Sequence, residues 1–464
     1  MELSAEEWAD QQWGQVDLGD ERLNRRVVTI GTRMATNPED SLPKQMQSPS
    51  ELEGAYRLLN NPRVNLTALL KPHCQQSMAD AGEHPVVLWV EDTTELDYTS
   101  HPSKTGLGAI GNGKGRGLLL HSILGILPDS RTVLGLGHVQ VVLREERPQK
   151  TSGWQRSAES RVWDHSAQAI GEPPEGVLWI HVSDRGSDIF EYMAACVDIN
   201  KHFLVRICHN RLLSWREDQP QQADQEEARK LLDYARSLPE HPGSAYTIQV
   251  EATRKHPARQ ANLALAWTQA VIAPSPQSPA EIRDHKPLTV WVLRAWEPDA
   301  PLGAEAVEWV LLTSLPIFSL EDAQHRVDWY ACRWCCEDFH KCLKTGCRVE
   351  RSQLDDSLDI QNLLGFVAPI AVRLLQLRQD ARQAPNALAT TVADPLMVEV
   401  LARRQKVKAK TMTVLEFWHL VARLGGFQGR KRDGHPGWQA VWDGWRYLSD
   451  LTEGARLFVE NDSS

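Results

Sequence analysis

The chain carries three kinds of hydrophobic patterning, and each predicts a different element. Residues 86–90 (VVLWV) and 177–182 (VLWIHV) are near-continuous apolar runs, as expected of strands buried on both faces. LLLHSILGIL (118–127) and TVLGLGHVQVVL (132–143) predict a hairpin that turns at Pro128, Asp129 and Ser130. HFLVRIC, AYTIQVEA, ANLALAWTQAVIA, LTVWVLRAW and EWVLLTSL, all within about 200–318, have strand character as well. Helical periodicity dominates both ends. LGDERLNRRVVTIGTRMATNP predicts an arginine-bearing amphipathic helix that stops before Pro38. SPSELEGAYRLLNNP predicts a second, capped at Ser48 or Ser50 and stopped at Pro62. After about residue 366, VAPIAVRLLQLRQ and TVLEFWHLVARLGGF read as apolar-striped helices.

This pattern divides the chain into three parts: helices over 1–68, a mixed sheet with helices over 69–365, and helices over 366–464. A core of 464 residues is too large for one unit, in keeping with that division. Hydrophobic and charged contents of 42% and 24% suit a soluble globular protein. Neither a secretory leader nor an apolar run of membrane-spanning length is expected. Eight cysteines, five of them between 332 and 347, favour a reducing compartment.

The candidate chemistry lies where apolar runs end in acids. The first run delivers Glu91 and Asp92, followed by Thr93 and Thr94; the second delivers Asp184. Asp188 is expected in the first turn of the helix that follows, where the helix dipole favours a carboxylate as a structural group. The third acid is Glu337. It belongs to the spacing Y-x2-R-x3-E-x6-K formed by Tyr330, Arg333, Glu337 and Lys344. On one continuous helix these four side chains fall within about 60° of one another. The opposite face carries Cys332, Cys335, Cys336, Phe339, Cys342 and Leu343, an apolar back for a core. A carboxylate flanked by fixed cations suits a site that holds a divalent metal and grips phosphates. Asp92, Asp184 and Glu337 together would suit two Mg²⁺ ions about 3.5–4 Å apart.

Other features weigh less. Cys332, Cys335, His340 and Cys342 have zinc-like composition, but one continuous helix cannot wrap four ligands around an ion, so they read as small buried thiols. GAIGNGKGRG (108–117) is rich in glycine but leads into a strand, unlike a nucleotide-binding loop. The net charge of −10 looks unfavourable for DNA, yet binding depends on local patches. Basic clusters occur at Arg22, Arg25, Arg26 and Arg33, at Lys114 and Arg116, at Arg403, Arg404, Lys406, Lys408 and Lys410, and at Arg430, Lys431 and Arg432. Part of the acidic excess lies in 217–227.

The three acids and the Y-R-E-K spacing resemble those of the DDE transposases of the bacterial insertion sequence four family. GAYRLLNNPRV, EDTT, GRGLLLHS, DRGSDI, VEWVLLTS and VARLGGFQGRKRDGHPGW extend the resemblance over nearly the whole chain. It implies an α/β fold: a ribonuclease-H-like mixed-sheet core with a β-rich insertion at about 200–318, between an N-terminal end-binding domain and a C-terminal dimerisation domain. The 153 positions between Asp184 and Glu337 leave room for that insertion. The implied activity is cut-and-paste transposition on Mg²⁺, with Mn²⁺ able to substitute. A metal-activated water nicks the transposon end, the 3′-hydroxyl closes a hairpin, and the reopened end attacks target DNA. The implied partners are double-stranded transposon-end DNA, target DNA and a second copy of the chain, without a membrane, in the bacterial cytoplasm at the nucleoid. Tyr330, Arg333 and Lys344 would hold phosphates, and Arg22, Arg25 and Arg26 would meet end DNA. Trp309, which reads from its strand as a core residue, would by resemblance stack on a flipped base, with Trp334 nearby. A catalytically silent DNA-binding regulator is the alternative; loss of an acidic ligand would favour it, and none is lost. A simple metal nuclease would lack the arginine-rich N-terminus and the C-terminal helices.

Overall fold

The computed structural model describes residues 4–144, 158–213, 230–250, 258–276, 278, 280–430 and 436–461. The acidic stretch 217–227, Pro279, Lys431 and Arg432 lie outside the described residues.

Five helices open the chain: α1 (Ala5–Trp13), α2 (Glu21–Thr36), α3 (Leu42–Gln45), α4 (Pro49–Leu59) and α5 (Leu66–Gly82). Side-chain caps set their starts. Ser4 and Glu7 form a capping box on α1, Asp20 caps α2, Ser48 caps α4 and Asn65 caps α5. The apolar stripe of α2 packs on α1 so closely that a Cβ on Gly31 would lie 2.4 Å from the Trp13 ring. Trp13 in turn donates from Nε1 to the Gly365 carbonyl at 3.2 Å, which ties the N-terminal helices to the far end of the chain. Helix α5 runs across position 68.

The sheet comprises β1 (Val86–Asp97), β2 (Gly108–Ile110), β3 (Gly115–Ile126), β4 (Val133–Val142), β5 (Leu178–Ser183), β6 (His202–Arg206), β7 (Tyr246–Val250), β8 (Arg259–Ile272), β9 (Leu288–Trp296) and β10 (Glu308–Thr313). Its order is β2-β3-β1-β5-β6-β10-β9-β8-β7, with β4 on the outer side of β3. β1, β3 and β4 are antiparallel; β5 and β6 run parallel to β1. The uninterrupted apolar runs are explained by burial from both sides. α6 (Ala158–Ile170) and α7 (Phe190–Asp198) belong to the core cluster on one face, and the helical core covers the other. The β-rich stretch at about 200–318 forms no separate layer. Its strands lengthen the same sheet through β10, which pairs with β6, and HFLVRIC forms β6 itself, the parallel neighbour of β5. Short helices α8 (Leu231–Ser237) and α9 (Ala280–Arg283) decorate it.

The chain returns to the sheet through α10 (Leu320–Ala331) and α11 (Trp334–Lys341), then continues into α12 (Ser357–Gln383), α13 (Pro395–Gln405), α14 (Val414–Leu424) and α15 (Trp438–Asn461). By length and composition α12 resembles a membrane span, contrary to the expectation of no such run. It is nevertheless mostly buried, packing on α5, β4 and α2, so its apolarity is that of a core helix. It crosses position 366. α14 and α15 meet at glycines: a Cβ on Gly444 would lie 1.8 Å from the Val421 carbonyl oxygen.

A charged junction joins three parts of the chain. Buried Glu39, after α2, lies 3.1 Å from Nη2 of Arg348 and 3.9 Å from Nε of Arg446 on α15; Arg348 also reaches Asp443 at 3.6 Å. A cavity of about 230 Å³ opens beside it, away from the acids described below. Burial pushes Glu39 up to about 7, against the pull of Arg348 and Arg446. The folded chain therefore holds this proton more tightly than the unfolded chain, and stability falls as pH rises from about 4.5 to about 7. Glu39→Gln mimics the protonated form. It is expected to melt higher than the parent at pH 8, by about 1–2 kcal/mol after allowance for solvent screening, with the gain vanishing towards pH 5. A gain independent of pH would show that Glu39 is not the group responsible.

Candidate active site

The pairing of β1 with β5 brings two acids level. Val86–Val90 pair with Leu178–Val182 in register, so two residues further on Asp92 stands opposite Asp184. Adjacent strands lie about 4.8 Å apart. Asp184 follows β5 directly and turns the chain, its Oδ1 accepting from the Gly186 N–H at 2.7 Å. Asp92 is not at a strand end as expected. β1 continues to Asp97 because β3 stays paired with it throughout, while β5 stops at Ser183. Asp92 and Asp184 share the face of Leu88, Val90, Ile180 and Val182, on which the helices carrying Glu337 pack.

Glu337 reaches them from α11. The expected continuous helix is broken twice. It stops at Ala331, turns at Cys332 and Arg333, and ends in a π-turn over Cys342–Gly346. Cys332 and Arg333 keep right-handed helical backbone angles, so Arg333 still faces Glu337 four residues on. Arg333, in the turn, bridges two acids: Nη1 donates to Asp92 Oδ2 at 3.1 Å and Nη2 to Glu337 Oε1 at 2.7 Å. Its Nε is buried and finds no acceptor among the described residues. Lys344 lies on the π-turn, about 10 Å along the helix from Glu337, with Nζ 4.0 Å from Glu350 Oε1. Tyr330 is buried beside Arg206 and meets the Trp309 ring edge-on at 5.1 Å. Trp309 is half-buried on β10, while Trp334 is about half exposed with Arg333 over its ring at 5.2 Å. The back of the two helices is apolar as read: Cys332, Cys336, Phe339, Cys342 and Leu343 are buried and Cys335 is half-buried. All eight cysteines are free thiols.

Asp92 feels the charges of the other two carboxylates. Burial pushes Asp92 up to about 6; Arg333 opposes this, whereas the charges of Asp184 and Glu337 add to it. Carboxylates are the donors that hard divalent cations take, but among the described residues the oxygens of Asp92, Asp184 and Glu337 do not gather within 4.8 Å of one another.

Asp188 is not in a helical turn, since α7 begins at Phe190. It is buried and structural: it accepts from the backbone N–H of Cys208 at 2.8 Å and of His209 at 2.7 Å, and it pairs with Arg211. Arg22, Arg25 and Arg26 project into solvent from α2, remote in sequence from the acids; Arg22 pairs with Asp20 and Arg25 lies 3.9 Å from Glu21.

A second polar cluster, not anticipated from the sequence, lies on the opposite face of β1. Buried Glu91 accepts from His181 Nδ1 at 3.0 Å, meets His121 Nε2 at 3.2 Å and accepts from the Tyr192 hydroxyl; Lys201 Nζ reaches His181 Nε2 at 3.2 Å. Although burial pushes Glu91 up, the two imidazoles carry it down to about 2. The network ties β1, β3, β5 and α7 together directly behind Asp92. Its signal in the sequence is a histidine interrupting each of two apolar runs, LLLHS and LWIHV. Arg206, beside Tyr330, was likewise unmarked.

Two family models match the ends of the chain. Residues 5–64 match one described as transposase DNA-binding, and residues 369–462 match one described as the transposase Tn5 dimerisation domain. Both ends are thus similar to modules of bacterial transposases, one for DNA and one for self-association. Among solved structures, a cryo-EM piggyBac transposase synaptic complex with hairpin DNA aligns over 94% of this chain and 76% of that chain. Its identity of 11% and TM-score of 0.34 are too low to carry an argument.

Proposed function

We propose that this chain is a DNA transposase of the cut-and-paste type, belonging with the insertion sequence four family. One observation carries the reading: Asp92, level with Asp184 on the neighbouring strand and bridged through Arg333 to Glu337, lies between chain ends similar to transposase DNA-binding and dimerisation modules. The sheet supports a ribonuclease-H-like core, with three antiparallel strands and two parallel ones and β1 at the centre.

Asp92, Asp184 and Glu337 would hold two Mg²⁺ ions. When bound, these supply Lewis-acid activation of the attacking oxygen and stabilisation of the leaving one. The chain's own groups do the rest. Arg333 bridges Asp92 and Glu337 and would hold the two carboxylates close together. Lys344 adds a cation further along the DNA path. Tyr330 sets the Trp309 ring, whose half-exposed face would stack on a base drawn out of the duplex. In the first step water bonds to phosphorus and O3′ leaves. The freed 3′-hydroxyl then attacks the opposite strand and closes a hairpin, which a second water opens. The resulting 3′-hydroxyl attacks target DNA. α2, with Arg22, Arg25 and Arg26, would meet the transposon end, and the C-terminal helices would pair two copies.

The test uses the full chain, Mg²⁺ and duplex DNA from the flanks of its own gene. The expected products are a nick, then a hairpin. Trp309→Ala should leave nicking largely intact and slow hairpin closure, since base stacking is worth ~1–3 kcal/mol. A fluorescent base analogue near the end should brighten less with this variant than with the parent. Absence of any cleavage at these flanks would sink the reading. Loss of DNA binding and fold together in Trp309→Ala would make that residue structural only.

A further inference from the structure

The C-terminal region carries a patch of cations that its similarity to a dimerisation module leaves unused. Between Pro395 and Leu424 the chain has six cations, Arg403, Arg404, Lys406, Lys408, Lys410 and Arg423, against only Glu399 and Glu416, within a molecule of net charge −10. The first five fall within eight positions, at the end of α13 and in the elbow leading to α14, and all five are exposed. Arg403 pairs with Glu399 at 2.8 Å; Arg404, Lys406, Lys408 and Lys410 pair with no described carboxylate.

A structural account covers only part of this. Arg403 and Arg404 lie in the last helical turn, where cations complement the helix dipole. Lys408 and Lys410 are past it. Lys406 sits at the helix C-cap with φ 58° and ψ 44°, the left-handed conformation that glycine adopts without strain. Its N–H closes on the Ala402 and Arg403 carbonyls, and the Val407 N–H reaches the Ala402 carbonyl at 2.9 Å, so the turn needs that conformation. A lysine there gives up stability in exchange for a charge held outward. Met412, buried just beyond, fixes the elbow to the C-terminal core.

We propose that this elbow binds the phosphate backbone of duplex DNA without regard to sequence, so that the C-terminal region holds target or flanking DNA as well as pairing two copies. The proposal rests on the transposase reading for its biological setting, but its test needs no cleavage. Exposed cations that pair with no carboxylate among the described residues, as at Lys406, Lys408 and Lys410, release counterions on meeting phosphates, which makes affinity fall steeply with salt.

The experiment measures binding of the full chain to a random-sequence duplex by fluorescence anisotropy between about 50 and 200 mM NaCl. It compares the parent, Lys406→Gly and the triple variant Lys406→Gln, Lys408→Gln, Lys410→Gln. The salt slope should fall by about 0.9 for the glycine variant and by about 2.7 for the triple variant, with a loss of affinity on the order of 10–100-fold at low salt for the latter. Lys406→Gly should at the same time melt higher than the parent, which separates lost contact from lost fold. Equal slopes and affinities in parent and variants would overturn the proposal and leave the transposase reading standing. So would weaker binding that merely follows loss of the dimer, seen by light scattering. A parent chain with no salt-dependent affinity for any duplex would overturn both.

Discussion

Asp92→Asn should abolish strand cleavage while leaving the protein folded, and in metal-free buffer it should make it slightly more stable. The loss of activity should exceed the ~10–100-fold that removal of an outer partner of a metal site costs, because here a ligand itself is removed. The gain in stability has a separate cause. Burial and the like charges of Asp184 and Glu337 raise Asp92 to about 6 despite Arg333. An acid raised in the folded state loses stability as pH climbs from about 3.8 to about 6, and that loss is complete at pH 8. Asparagine has the same shape and no charge, so the variant should melt higher at pH 8 by about 1–2 kcal/mol. Cleavage assays and melting curves on one preparation decide it. Retained cleavage would remove Asp92 from the site. Lost cleavage accompanied by a lower melting temperature would assign it a structural role instead.

Arg333→Ala should have the opposite signature. The guanidinium bridges two of the acids, with side-chain exposures of 12% for Arg333, 17% for Asp92 and 30% for Glu337. Its removal leaves two neighbouring carboxylates uncompensated. Breaking a buried pair costs ~3–5 kcal/mol, and partial exposure of this one brings the expected loss to about 2–4. Arg333→Lys should recover only part of it, because an ammonium cannot present two parallel donors to two acids. Two further measurements test the cause. Mg²⁺ or Mn²⁺ should raise the melting temperature of Arg333→Ala more than that of the parent. Adding Asp92→Asn to Arg333→Ala should restore stability, because it removes one of the unpaired charges. An equally unstable double variant would show that Arg333 matters through packing.

How much of this was legible in the sequence depends on how local each cause is. The strands, the hairpin at Pro128–Ser130 and the helices at both ends followed from hydrophobic period and caps, which act within a few residues. The apolar runs before Asp92 and Asp184 announced strands buried on both faces, because only that burial excludes polar residues from successive positions. The apolar back of the Glu337 helix was legible for the same reason.

What remained hidden is set by contacts between distant segments. β1 outruns its acids because β3, some thirty residues on, stays paired with it. The expected insertion merges into the central sheet because β10 finds β6 as its neighbour. Arg333 pairs with Glu337 four residues on, as helical spacing allows, but its second partner, Asp92, lies on a strand 241 residues earlier, and no local period marks that contact. The Glu91 cluster combines side chains from β1, β3, β5 and α7, and composition cannot register a buried charge whose partners are a hundred residues away. The sequence by itself determined the elements, the apolar faces and the acids themselves. Only the tertiary structure decided that Asp92 stands level with Asp184, and that Arg333 stands between Asp92 and Glu337, because strand register and the strand a helix meets are chosen by long-range packing.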